Sequence, residues 1–160
     1  MPLNKFGWSI INGGTVLNRD FKEFIQSLND NHVRFLVVGG YAVAFHGHPR
    51  YTKDLDIWIE MTKENAQKII HSLKQFGFDS LGLMEEDFLI PDQTIQLGYP
   101  PSRIDLITTL SGVDFETCYS SRVLIEIDGT QVHFIDLENL KINKQASGRL
   151  QDLADIENLK

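Results

Sequence analysis

The sequence has few of the features that mark secreted or membrane proteins. Its single cysteine, Cys118, cannot form an intramolecular disulfide, which agrees with a reducing compartment. No apolar run reaches the roughly eighteen residues of a membrane span, so we expect no membrane helix. Residues 1–5 (MPLNK) lack the long apolar core of a signal peptide. Together these absences predict a cytoplasmic protein.

Positive charge is also scarce. The chain has 15 lysines and arginines against 22 aspartates and glutamates, a net charge of −7. This balance argues against a protein that coats nucleic acid through bulk electrostatics, but it is compatible with an enzyme that touches nucleic acid at one basic patch. A length of 160 residues and a hydrophobic fraction of 42% are typical of one globular domain, which we predict to span residues 1–160.

The order of apolar patterns predicts an α+β fold of helices and a sheet that is largely antiparallel or mixed. Apolar residues recur at helix spacing after Asp20, a plausible N-cap, and predict a first helix. The same spacing after Thr62 predicts a second helix, which ends at Gly77. Two further helical segments are predicted near the C-terminus, separated near Ser147-Gly148. Asp128-Gly129 is typical of a hairpin turn. Strands are predicted at residues 34–38, 54–60, 94–97, 103–108, 123–127 and 131–135, with a weaker edge strand at 8–11.

The first predicted strand ends in a glycine pair, Gly39-Gly40, and a short helix is predicted from Tyr41 to His46. A strand, a glycine turn and a helix N-terminus in succession leave backbone N–H groups pointing at open space, which suits a phosphate group. An ordinary tight turn would produce the same local sequence.

Two carboxylates, Asp54 and Asp56, follow the glycine pair and are one residue apart. Side chains alternate along a strand, so these two point the same way and repel unless a positive charge, typically a divalent cation, lies between them. Asp105, between the apolar Ile104 and Leu106, is the best third ligand, because an unpaired charge on a buried strand is costly. Taken singly, the pair could be a solvated strand face and Asp105 a surface residue.

This combination resembles the DNA polymerase β-like nucleotidyltransferase superfamily. The segment Gly39-Gly40-Tyr41-Ala42…Gly47…Arg50-x-Thr52-x-Asp54-x-Asp56 is similar to a small prokaryotic branch related to the AbiEii toxins of abortive-infection systems. That branch typically ends in Lys-x-x-Ala…Gly-Arg-x-x-Asp-Leu-x-Asp, and residues 144–155 (KQASGRLQDLAD) fit this pattern. The resemblance spans about residues 34–159.

The resemblance implies a five-stranded or similar mixed sheet and transfer of a nucleoside monophosphate from an NTP, with release of pyrophosphate. It implies that Gly39 and Gly40 hold the triphosphate through backbone N–H groups. Asp54 and Asp56 would bind two Mg²⁺ (or Mn²⁺) ions, and Asp105 would ligate the catalytic ion and help deprotonate the acceptor hydroxyl.

The resemblance also makes Lys144 and Arg149 candidates for neutralising phosphate charge. These two residues could instead simply pair with Asp152 and Asp155. Arg50 is equally a substrate-binding cation or a partner of the aspartates. For Thr52, a hydrogen bond that supports the site and a structural one are equally expected.

The acceptor that the resemblance allows is RNA such as tRNA, a protein or a small molecule, and the protein could be a toxin restrained by an antitoxin. A second subunit, in a homodimer, could complete the site. The alternative is a non-catalytic nucleotide-binding module within a complex, and a third option is phosphoryl hydrolysis with the same metals. Zinc is not expected at His46 and His48, since no cysteine lies nearby.

Overall fold

The computed structural model describes residues 19–47, 52–78, 81–98 and 103–159. Its strands are β1 (Phe35–Val38), β2 (Leu55–Ile59), β3 (Thr94–Leu97), β4 (Ile104–Ile107), β5 (Val123–Ile127) and β6 (Thr130–Phe134). Its helices are α1 (Arg19–Asp30), α2 (Gly39–Phe45), α3 (Lys63–Phe76), α4 (Phe115–Ser120), α5 (Leu137–Ser147) and α6 (Leu150–Asn158), with a 3₁₀ turn at Glu85–Phe88. The predicted edge strand at residues 8–11 lies outside these ranges.

The strands form one mixed sheet in the order β3-β4-β2-β1-β6-β5. The central strands β4 and β2 are parallel, β2 and β1 are antiparallel, and β1 and β6 are parallel. Each edge strand, β3 and β5, is antiparallel to its neighbour. The structure therefore confirms the α+β prediction of a mixed sheet with flanking helices in one domain, with six strands in the described ranges where the resemblance implied about five.

The local signals for turns and caps are confirmed where their chemistry is specific. Thr62 accepts a hydrogen bond from the backbone N–H of Asn65 at the start of α3, and Gly77 ends that helix with φ +98°. Asp128 and Gly129 both have positive φ, as the tight turn between β5 and β6 requires.

The core lies against both faces of the central strands. The burial of Leu55, Ile57 and Leu106 is complete, and Trp58 is buried. Helix α1 contributes the predicted stripe and contacts α3 and β6. Its four buried residues are Phe21, Phe24, Ile25 and Leu28.

Three boundaries differ from the predictions. Asp20 lies within the first turn of α1 and is not its N-cap. Helix α2 already begins at Gly39, and β2 begins at Leu55, so Asp54 directly precedes the strand. Helix α4 was missed because six residues are too short for a helical stripe; its start is fixed by Asp114, which accepts from the N–H of Thr117.

No helix in the described ranges is both long and apolar enough to cross a membrane.

Candidate active site

The register of the sheet brings the predicted carboxylates together. Asp56 in β2 lies opposite Val38 of β1 on one side and opposite Asp105 of β4 on the other. The glycine pair follows Val38 directly, so the start of α2 lies beside Asp56. Three segments that are distant in sequence therefore meet at one place in the middle of the sheet.

Gly39 permits a close approach between backbone and carboxylate. Its φ is +65°, and a Cβ added there would lie 2.2 Å from Oδ2 of Asp56. Any other residue is therefore disfavoured at this position for two reasons: the positive φ and the steric overlap of its Cβ with Asp56. The glycine turn needs its first glycine because Asp56 is packed against it, a reason that the sequence alone does not reveal.

Burial and mutual repulsion disfavour the charged forms of the carboxylates. Burial, followed by the negative charges of Asp105 and Asp54, raises the pKa of Asp56 to about 7, against the opposing effects of Lys144 and Arg103. Burial also raises the pKa of Asp105, although the adjacent Arg103 lowers it in part. Such a cluster is electrostatically incomplete and favours the arrival of positive charge.

Arg103 supplies one positive charge, and the sequence analysis did not identify it. Its Nη2 donates to Oδ2 of Asp54 at 2.7 Å and to Oδ2 of Asp105 at 3.5 Å. The available signal was the spacing Arg103-x-Asp105, which places both side chains on one face of a strand. Its guanidinium thus bridges two of the three predicted metal ligands.

The donor chemistry of the cluster suits Mg²⁺ or Mn²⁺, which prefer carboxylate oxygens. Oδ1 of Asp105 is buried and has no hydrogen-bond partner, although Nε of Arg103 lies 3.2 Å from it. In the present arrangement, however, no three His, Cys, Asp or Glu side chains among the described residues are spaced to hold a metal ion.

Lys144 and Arg149 meet the two aspartates of the C-terminal segment. Nζ of Lys144 lies 3.1 Å from both Oδ1 of Asp152 and Oδ2 of Asp155, and all three residues are buried. Arg149 is exposed and donates to Oδ2 of Asp152 at 2.8 Å. Burial alone would raise the pKa of Asp152, but hydrogen bonds with Arg149 and Lys144 lower it. Lys144 therefore belongs to a buried ion network and not to a surface pair.

This network is electrostatically coupled to the carboxylate cluster. The charge of Lys144 lowers the pKa of Asp56, and the charge of Asp56 contributes to raising the pKa of Arg149. The C-terminal segment thus lies close enough to the cluster for their charges to interact, although Lys144 and Arg149 form their ion pairs with Asp152 and Asp155.

The other candidates have simpler surroundings. The hydroxyl of Thr52 donates to the backbone carbonyl of Asp54 at 3.3 Å, a local contact that supports the entry to β2. Arg50 and His48 lie outside the described residues. Nε2 of His46 is 2.7 Å from the carbonyl oxygen of Ile135, which occupies that ring nitrogen. Burial raises the pKa of the Cys118 thiol to about 12, so it is not a thiolate nucleophile.

The raised pKa of Asp56 predicts a pH dependence for the stability of the metal-free chain. An unfolded aspartate titrates near pH ~3.9, so between that value and about 7 the folded state alone holds the proton. Protonation of Asp56 therefore stabilises the folded state, by at most about 4 kcal/mol. This contribution to the free energy of unfolding is complete below pH ~4 and is lost as the pH rises through 7. We therefore expect the Asp56→Asn variant to gain stability over wild type between about pH 5 and pH 8, measured by thermal unfolding in EDTA.

Comparing the two proteins at each pH is essential to this measurement. Burial lowers the pKa of His46 and His133, and histidines with lowered pKa stabilise the fold as the pH rises, opposite to Asp56. Their contribution cancels in the difference between variant and wild type. A constant difference from pH 5 to pH 8 would contradict the assignment.

The chain resembles known proteins in sequence family and in fold. A family described as nucleotidyltransferase of unknown function (DUF6036) matches residues 17–160. A crystal structure of a candidate nucleotidyltransferase from Thermotoga maritima is similar, with a TM-score of 0.58, 16% identity, and coverage of 88% of each chain. An antigenic nucleotidyltransferase-like protein from Paracoccidioides brasiliensis gives a TM-score of 0.50 at 17% identity, covering 89% of this chain and 77% of that one. At these identities the structural likeness shows the fold. None of the curated protein sequences compared with the chain matches it significantly.

Proposed function

Because the chain belongs to the DUF6036 family of nucleotidyltransferases, and is therefore a transferase of phosphorus-containing groups, we propose that it moves an NMP from an NTP to an acceptor hydroxyl. The observation that carries this proposal is the adjacency of Asp56 and Asp105 in register on two parallel strands, beside the Gly39 turn. Their raised pKa values are those of a site that needs added positive charge.

The carboxylates of Asp54, Asp56 and Asp105 would hold the divalent cations. When bound, Mg²⁺ or Mn²⁺ would neutralise phosphate oxygens and bring the acceptor and the α-phosphate together. The buried Oδ1 of Asp105, which has no hydrogen-bond partner, supports this assignment. The preference of these ions for oxygen ligands also supports it. Gly39 and Gly40 would bind the triphosphate through backbone N–H groups, as the resemblance implies.

In the proposed transfer, the acceptor oxygen bonds to the α-phosphorus while the bond from that phosphorus to the bridging oxygen of pyrophosphate breaks. The acceptor proton passes to the carboxylate of Asp105, the role that the resemblance implies for this residue. Negative charge then builds on the departing pyrophosphate. Arg149, exposed and within electrostatic reach of Asp56, is suited to meet that charge.

The narrower role implied by the resemblance is that of a toxin that modifies RNA, such as tRNA, or a protein, and is restrained by an antitoxin. The negative net charge favours a protein or a small molecule over long duplex DNA as acceptor. If the toxin role is correct, production of the chain alone slows growth and the Asp54→Asn variant does not.

The test of the proposed activity is transfer of α-³²P label from each of the four NTPs, with Mg²⁺ or Mn²⁺, onto total cell RNA and lysate protein. We expect label in one fraction, with release of pyrophosphate, and none from an Asp54→Asn/Asp56→Asn double variant. Release of inorganic phosphate without label transfer would indicate hydrolysis instead.

A second function is favoured by one observation, the Arg103 bridge between Asp54 and Asp105. A protein that retained this bridge permanently would bind nucleotide without turnover, as a module of a larger complex. Nucleotide binding by calorimetry, unchanged in Asp105→Asn and without product, would support that reading and contradict the proposed transfer.

A further inference from the structure

Arg103 satisfies only part of the hydrogen-bonding capacity of the carboxylates that it contacts. One nitrogen, Nη2, serves both Asp54 and Asp105. Its Nε lies 3.2 Å from Oδ1 of Asp105, but both atoms are buried without a hydrogen bond, because proximity is not accompanied by suitable geometry. Arg103 therefore neutralises charge while leaving one donor and one acceptor unused.

The exposure of the three side chains is uneven. The side chain of Arg103 is 31% exposed and that of Asp54 is 36% exposed, whereas that of Asp105 is 11% exposed. Arginine keeps its proton at any ordinary pH, so the guanidinium can leave these oxygens only by moving. Partial exposure gives its long side chain room to move toward solvent, while Asp105 is held within β4 and Asp54 directly precedes β2.

A divalent cation and the guanidinium compete for the same atoms. Metal ligation requires carboxylate oxygens at roughly 2.0–2.2 Å from the ion, which an interposed guanidinium prevents. We propose that Arg103 is a built-in counter-ion that occupies the Asp54 and Asp105 carboxylates in the metal-free protein and is displaced from them when a divalent cation binds. This inference rests on the metal position in the proposed function.

Displacement also gives Arg103 a second task. The proposed function puts the triphosphate at the Gly39 turn, next to Asp56, so a guanidinium released beside the cluster would meet its oxygens, which the planar fork of arginine binds well. Nucleotide therefore stabilises the displaced position of Arg103, so that cation and nucleotide bind better together than separately. Arg103 is in this sense a positioning residue that couples the two ligands.

The experiment measures Mn²⁺ binding to the full chain without nucleotide, from the loss of the free-ion electron paramagnetic resonance signal. Arg103→Gln is expected to bind Mn²⁺ roughly twofold to fivefold more tightly than wild type, the range of a partly exposed ion pair. Arg103→Lys keeps the charge and is expected to stay close to wild type. Lys53→Gln is the matched control, since Lys53 is exposed, adjoins Asp54 in sequence and loses the same charge.

The outcomes separate this inference from the proposed function. Equal tightening in Arg103→Gln and Lys53→Gln would mean that net charge alone acts, and would overturn the inference while leaving the metal site intact. Mn²⁺ binding that is absent in wild type and in Arg103→Gln, or that persists in Asp54→Asn/Asp56→Asn, would overturn the proposed metal site itself.

A second readout covers the case in which Arg103→Gln is poorly folded. In wild type, an unreactive NTP analogue is expected to tighten Mn²⁺ binding, and the gain should shrink in Arg103→Lys, whose compact ammonium lacks the bidentate fork. An undiminished gain in Arg103→Lys would contradict the coupling role.

Discussion

The Asp56→Asn substitution is expected to reduce nucleotidyl transfer by roughly a hundredfold to a thousandfold, the loss typical when one charged or polar group is removed from the reacting centre. Asp56 lies between Gly39 and Asp105 and is the most centrally placed of the three carboxylates. Asparagine has nearly the same shape but carries no negative charge for a metal ion. Label transfer per hour, with saturating NTP and Mn²⁺, measures the loss.

The same substitution is expected to leave the metal-free protein more stable at pH 8, because it removes a buried charge that its neighbours repel. Loss of activity and gain in stability would therefore occur together, which excludes misfolding as the cause. Asp105→Asn is the comparison. It removes a charge that pairs with Arg103, so its gain in stability should be smaller. An Asp56→Asn protein that is inactive and also less stable at pH 8 would contradict this account.

The second large effect is expected at Lys144. The Lys144→Met substitution should lower the free energy of unfolding by roughly 3–5 kcal/mol, because it leaves Asp152 and Asp155 buried without the cation that lies between them. Methionine keeps most of the volume, so cavity formation contributes little. Urea unfolding measures the change.

Arg149→Met is the matched control for Lys144→Met. Arg149 contacts the same Asp152, but its side chain is 77% exposed, so its removal should cost roughly 1 kcal/mol or less. Its effect should appear instead in transfer, if it meets phosphate charge as proposed. Equal stability losses in the two variants would contradict the prediction that the buried Lys144 contributes more to stability than the exposed Arg149.

The sequence predicted the fold where local chemistry is strong. Helix α3 has a threonine cap, a stripe of apolar residues and a terminal glycine, and its bounds were predicted closely. The Asp128-Gly129 turn fixed the β5–β6 hairpin in the same way. Helix α4 has only a cap, and its six residues are too few for periodicity to reveal it.

Helix α6 shows why a pattern can predict an element but not its orientation. Leu150, Leu153 and Ile156 recur every three residues and correctly predicted a helix. Leu150 and Leu153 are nevertheless exposed, and the buried residues are Asp152 and Asp155. A buried lysine on α5 makes this arrangement favourable, and a partner on another helix is not visible in the spacing of one.

The candidate site shows the same division between what spacing reveals and what it does not. The predicted carboxylates Asp56 and Asp105 are adjacent because two strands, far apart in sequence, align in register. Their alternation with apolar residues was visible in the sequence. The role of Arg103 depends on where its side chain reaches in three dimensions, which alternation suggests only after the site is known.

The position of Asp56 in the middle of the sheet has a consequence for local opening. Strand β2 has a strand on each side, and so does β1, so their backbone amides are expected to be among the slowest to exchange with solvent. Fraying of the chain ends or of the edge strands β3 and β5 would leave the Asp56 carboxylate in its place. The site should therefore be lost only when the whole sheet unfolds, so that heat inactivation and global melting follow one curve.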